Sequence, residues 1–156
     1  MLAVATVAAG CGGGSAPKAA GPSVAKADKQ EAQQSVSKVR QLTKADFITL
    51  VYDFEKNPDK WVFNGDKPAI VDFYATWCGP CKQLSPLLHQ LADEHSGRID
   101  VYKVDVDQEE EVAAAFAVSS IPMLLWIPAD GKPFVTMGMM PKAELDKIVK
   151  ERLLRQ

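Results

Sequence analysis

The sequence predicts an α/β fold in which helices cover both faces of a central mixed β-sheet. Two patterns carry that expectation. Apolar stripes at helical spacing alternate with short β-branched runs in the order α-β-α-β-α-β-β-α, and strands linked through helices run parallel. The last two strand-like runs are joined by Asp130-Gly131, a hairpin signal that adds an antiparallel end to the sheet.

Each element follows from local chemistry. Thr43 with Asp46 three residues later reads as a capping-box-like helix start, and Phe47, Leu50, Val51 and Phe54 form its apolar stripe. Asn57-Pro58 ends it. Residues 69–75 are mostly apolar with β-branched and aromatic side chains, as in a strand buried on both faces. A helix should follow Cys78 and run to about residue 94, with Leu84, Leu87, Leu88 and Leu91 inside and Pro86 kinking it. Residues 99–106 alternate as a strand, and 108–116 read as a helix. Residues 123–127 and 133–137 are the hairpin strands. Pro141 opens the closing amphipathic helix, whose inner face is Leu145, Ile148, Val149 and Leu153. Trp61, Phe63 and Trp126 read as structural.

The chain has 156 residues, enough for one ordinary domain, and its 47% hydrophobic and 24% charged shares are those of a soluble globular protein. A formal charge of -2 offers no basic excess to neutralise phosphates, which argues against nucleic-acid binding. Its 3 cysteines do not form a disulfide framework: Cys78 and Cys81 sit together, and Cys11 stands apart. Residues 1–10 are apolar or small and uncharged, too short for a membrane-spanning helix of about 20 residues and suited to an export signal. The run Ala8-Ala9-Gly10-Cys11 resembles a bacterial lipobox, which makes Cys11 the expected lipid-attachment residue; Ala8 stands where a large aliphatic is usual. The other reading is a disordered terminus with an incidental cysteine. Residues 11–41 are Gly-, Ser-, Ala-, Pro-, Lys- and Gln-rich without an aromatic, so they should form a flexible tether. The folded domain is expected over 42–156.

Two cysteines separated by two residues at a helix start have a specific use. The unpaired amides and partial positive charge of the helix N-terminus stabilise a thiolate. Cys78 should lie exposed at that end. Cys81, one turn inward, should be covered yet able to attack a mixed disulfide formed at Cys78. Gly79 allows the turn and Pro80 fixes φ as the helix begins. The competing reading is half of a zinc site, which would need two more ligands. No second such cysteine pair exists, and His89 and His95, six apart on one helix, fall on different faces. Neither a metal nor an organic cofactor is expected.

The segment Trp77-Cys78-Gly79-Pro80-Cys81, preceded by Val71-Asp72-Phe73, resembles the active-site segment of the thioredoxin family. The likeness extends through Ile121-Pro122 and Gly138 and covers about residues 42–153. It implies the thioredoxin fold and a protein thiol–disulfide oxidoreductase working through Cys78 and Cys81. Asp72 matches a family aspartate assigned as proton acceptor for the second cysteine, through water, and Lys103 matches a lysine near that carboxylate. By the residues alone, a carboxylate inside an apolar strand should have a raised pKa; an aspartate at a wet strand edge and a solvated lysine are the plainer readings. Only about 5–6% of X–Pro bonds are cis, but the resemblance makes Pro122 cis beside the reactive sulfur. There the backbone of Ile121 would pair with an extended substrate segment. Trp77, Gly79, Pro80, Ile121, Pro122 and Gly138 are thus the expected substrate contacts. Met123 replaces a common Thr and Ser120 a common Gly. Met137, Met139 and Met140 could offer an adaptable contact surface, although packing is the usual role of such residues.

Gly79-Pro80 resembles the reducing end of the family, so a reductase of disulfide-containing proteins is expected. An exported reductase needs electrons, and by family analogy a membrane protein would supply them. The chain lacks the insertion of dedicated cytochrome-maturation relatives and the dimerisation domain of exported isomerases, which points to a broad-range, monomeric reductase. Its expected place is the cell envelope, tethered through Cys11. The alternatives are a cytosolic thioredoxin with a disordered extension and a non-catalytic partner protein.

Overall fold

The computed structural model describes residues 38–156. The expected signal at 1–10, Cys11 and the tether up to residue 37 lie outside the described residues. In chain order the elements are β1 (Val39–Gln41), α1 (Lys44–Leu50), β2 (Ala69–Tyr74), α2 (Gly79–Glu94), β3 (Asp100–Asp105), α3 (Glu110–Ala115), β4 (Met123–Ile127), β5 (Phe134–Met137) and α4 (Lys142–Ile148). The last helix continues as a π-helical turn, Val149–Leu153.

The sheet has strand order β1-β3-β2-β4-β5. β1, β3 and β2 run parallel, β4 is antiparallel to β2, and β5 is antiparallel to β4. The expected mixed sheet is therefore present, with one strand more than the sequence indicated. β1 falls inside the stretch assigned to the tether, so the folded part begins before Leu42. Val39 is buried in the core, and its strand is held by pairing with Val101, Tyr102 and Lys103, more than sixty positions along the chain. Composition over a short local window carries no trace of such a partner.

Side chains on β2 alternate between two cores, as the pleat requires. Ala69, Val71 and Phe73 pack with Phe47, Val51 and Val112 from α1, its end and α3. Ile70 packs with Leu84, Leu88 and Leu91 of α2 and with Leu145 of α4. Both faces are covered, which is why β4 reads as an unbroken apolar run and β2 as one broken only by Asp72. Asp72 shares the pleat face of Ile70 and lies beneath α2.

Thr43 caps α1 with the reciprocal Asp46 capping box that the sequence indicated. The helix stops at Leu50, short of the expected end, yet Phe54 still packs against the core it was assigned to. α2 continues through Pro86 to Glu94. Trp126 is fully buried and donates from Nε1 to Thr136 Oγ1 at 2.9 Å, and Trp61 packs on Tyr52 with ring centroids 4.4 Å apart. Among the described residues no helix is long and apolar enough to cross a membrane.

Candidate active site

The strand–turn–helix from β2 to α2 builds the redox centre. β2 ends at Tyr74, the chain turns through Ala75 to Trp77, and Cys78 becomes the N-cap of α2. Cys78 and Cys81 form a disulfide with an S–S distance of 2.05 Å and Cα atoms 5.3 Å apart. The Cys81 N–H donates to Cys78 Sγ at 3.2 Å. A sulfur at the N-cap thus meets an otherwise unpaired amide and the positive end of the helix, the conditions that favour a thiolate there. Pro80 in the first turn has no N–H to leave unpaired.

Burial of the pair differs from the expectation. Cys78 is 4% exposed and Cys81 2%, so in the oxidised state neither residue is open. Ala75 lies in the same buried cluster, and Val106 and Ile121 pack against that cluster. The asymmetry expected from helix position alone neglected these loop residues.

Ile121–Pro122 is a cis peptide, as the resemblance implied, and Ile121 packs against the cysteines. Gly138 donates its N–H to the Pro122 carbonyl at 2.8 Å and adopts φ +86, a conformation that favours glycine. Trp77 is 69% exposed and donates from Nε1 to Asp107 Oδ2 at 2.8 Å. Asp107 was not singled out from the sequence. Met137 and Met139 are exposed beside Gly138, whereas Met140 packs against the core, so packing accounts for only one of the three.

Asp72 is completely buried, and among the described residues neither carboxylate oxygen has a hydrogen-bond partner. Burial pushes its pKa up to about 7, against the opposing pull of the Lys103 charge. The wet-edge reading of this aspartate does not hold. Lys103 is its register partner on β3, but the lysine Nζ donates to Ser85 Oγ at 3.0 Å and lies 4.1 Å from the Tyr74 ring centroid. A cavity of about 500 Å³ opens here, lined by Cys81, Ser85, Pro86, His89, Tyr74 and Lys103 among others. Ser85 was also missed from the sequence. Its signal was present: Cys81, Ser85 and His89 recur at intervals of four and share one face of α2.

A second titratable cluster joins Glu94 and His95, at the end of α2, to Asp146 of α4. Lys142 Nζ already bonds both carboxylates, at 2.6 Å each. An internal ammonium therefore serves as their cation. His95 is buried at the helix cap, while His89 lines the cavity.

The thioredoxin family profile matches residues 41–151. A thioredoxin of Borreliella burgdorferi is 47% identical over 110 residues, covering 70% of this chain and 93% of that protein. One from Staphylococcus haemolyticus is 41% identical over 107 residues, covering 68% of this chain and 100% of that protein. The crystal structure of chloroplastic thioredoxin z superposes with a TM-score of 0.60 at 31% identity, over 71% of this chain and 90% of that one. With the Cys78–Cys81 disulfide at the head of α2, these matches establish that the chain belongs to the thioredoxin family and is a thioredoxin-type thiol–disulfide oxidoreductase.

Proposed function

We propose that the chain is a reductase of protein disulfides in the cell envelope, anchored through lipid on Cys11. The observation that carries the chemistry is the Cys78–Cys81 pair at the N-terminus of α2, with Ile121 and cis-Pro122 beside it. In the reduced state the Cys78 thiolate attacks a substrate disulfide, expels one substrate sulfur as thiolate and leaves a mixed disulfide. Asp72 takes the Cys81 proton through water. The Cys81 thiolate then attacks Cys78 Sγ and releases the second substrate sulfur. Two electrons have passed to the substrate, and the internal disulfide remains. A carboxyl with pKa about 7 suits this step, because it is a stronger base than an ordinary aspartate and still partly ionised at neutral pH.

Trp77, Gly79, Pro80, Ile121, Pro122 and Gly138 would form the substrate groove, with Ile121 pairing to an extended segment. The Gly79-Pro80 spacer supports the reducing direction. A reduction potential of about −270 mV is expected, and one above about −180 mV would contradict it. A membrane protein would return electrons to the disulfide.

The lipobox-like run at 8–11 precedes the family match, which begins at residue 41, an arrangement suited to an anchor followed by a spacer. Mass spectrometry of the N-terminus from native membranes tests this. Diacylglycerol on Cys11 is the expected result. An intact Met1 in the soluble extract would favour a general cytosolic thioredoxin, a reading that the near full-length match to the two bacterial thioredoxins also supports.

A further inference from the structure

Lys103 faces Asp72 across two paired strands, on the same pleat face, and has the reach to close on it. It does not. The ammonium is committed to Ser85 Oγ at 3.0 Å and to the face of Tyr74, whose hydroxyl is in turn fixed by Gln41 Oε1 at 2.8 Å. Both Asp72 oxygens are left without a partner among the described residues.

We propose that Ser85 is a positioning residue for the redox centre: its hydroxyl holds the Lys103 ammonium over Tyr74 and away from the Asp72 carboxylate. The distinction matters because an opposite charge within about 4–6 Å lowers a carboxyl pKa by about 1–3 units. A lysine free to close on Asp72 would turn a carboxyl near neutrality into an ion-paired carboxylate, which is a weak base. Ser85 therefore keeps the base strong while the lysine charge stays near enough to limit how far burial raises it.

The charged and titratable groups around this pocket come from three elements. β3 supplies Lys103 and Asp105, β2 supplies Asp72 and Tyr74, and α2 supplies Cys81, Lys82 and His89. The flanking strands place neutral residues in register, Gln41 of β1 beside Lys103 and Leu124 of β4 beside Asp72. Lys82 and His89 are exposed, and Asp105 acts on Tyr74. Ser85 is thus the group that directs Lys103.

The test is a carboxyl-carbon NMR titration of Asp72 in the oxidised full chain. Replacing Ser85 by Ala removes the acceptor at a helical position where Ala is well tolerated. In Ser85→Ala the Asp72 midpoint should fall by about 0.5 pH unit or more as Lys103 closes in. Ser85→Thr, which keeps the hydroxyl, should retain the parent midpoint. In a Lys103→Met background, Ser85→Ala should shift nothing. An unchanged or raised midpoint in Ser85→Ala, or the same fall without Lys103, overturns the proposal. Its kinetic consequence rests on the proposed proton-accepting role of Asp72, but the titration reads the carboxyl directly and is independent of that role, of electron direction and of location.

Discussion

The N–H of Gly138 donates to the carbonyl of Pro122 at 2.8 Å, tying the turn after β5 to the cis-proline that opens β4. The bond holds Gly138 at φ +86 along the rim where Trp77 and Ile121 would receive substrate. A Cβ built on Gly138 meets nothing within 4 Å of this chain, so the space beside it is open. Gly138→Ala should cost about 1–2 kcal/mol through the positive φ alone. It should also raise KM for a protein disulfide several-fold, because the methyl enters the path of the substrate backbone. Reduction of a small dithiol reagent's disulfide should be nearly unaffected. Urea unfolding and the two substrate assays separate backbone strain from lost access.

The proposed mechanism gives the two cysteines different tasks, although their burial in the oxidised state is nearly equal. Cys78→Ser should abolish reductase activity, since the thiolate at the helix N-cap is lost. Cys81→Ser should still attack but fail to resolve, leaving substrate covalently bound at Cys78. Intact-mass spectrometry after mixing with a disulfide protein should show the adduct in Cys81→Ser and none in Cys78→Ser. An adduct on Cys81 in the second variant would reverse the assignment.

Trp77 is exposed yet oriented by its bond to Asp107, 30 positions further along the chain. Asp107→Ala should free the indole while changing stability by less than about 1 kcal/mol, the worth of one exposed hydrogen bond. The expected readouts are a changed indole emission and a raised KM for protein substrates. The reduction potential should stay close to that of the parent, since Asp107 does not contact the disulfide. A kcat loss at constant KM would contradict a role confined to the groove.

Local chemistry made much of this architecture legible. The Thr43–Asp46 box, the Asp130-Gly131 turn and the buried β2 run each declare themselves within a few residues, and each lies where expected. β1 does not. Only Val39 of its three residues is buried, and its existence depends on an edge of β3 that the local sequence cannot reveal. The π-helical turn at Val149–Leu153 likewise keeps Val149 and Leu153 buried, so the apolar pattern alone does not distinguish it from an α-helix. At the site, the cysteine pair was legible from type and spacing and the burial of Asp72 from its place in an apolar strand, whereas cis-Pro122 came only through the family resemblance. Asp107 was not, because its partner Trp77 comes from another element, and for Ser85 the spacing marked the helix face it shares with Cys81 but not its bond to Lys103 on β3. Cys78 proved buried for the same reason: Val106 and Ile121, from other parts of the chain, pack against the cluster it forms with Ala75 and Cys81.

In the proposed mechanism Asp72 links stability to chemistry. Its carboxyl has a pKa of about 7 in the folded protein against 3.8 for an ordinary aspartate, with burial as the main cause. The folded state therefore holds a proton that the unfolded chain has released over this window. Stability is greatest below the unfolded value and is lost as pH rises through the folded one. At about 1.4 kcal/mol per pH unit, the gap amounts to about 4 kcal/mol at most. Asp72→Asn removes this titration, so its stability relative to the parent should improve steadily from about pH 4 to about pH 7 and level off above. Urea unfolding at several pH values checks the trend; a constant difference would mean that the carboxyl does not titrate there. Activity should move the other way. The parent rate should fall below neutrality as Asp72 takes up its proton, whereas Asp72→Asn should be slower by roughly tenfold or more at neutral pH and lack that acid limb. The stability trend follows from burial alone and would appear for any buried carboxyl with this pKa. Loss of the acid limb in Asp72→Asn is the trend that an aspartate without a proton-accepting role would not produce.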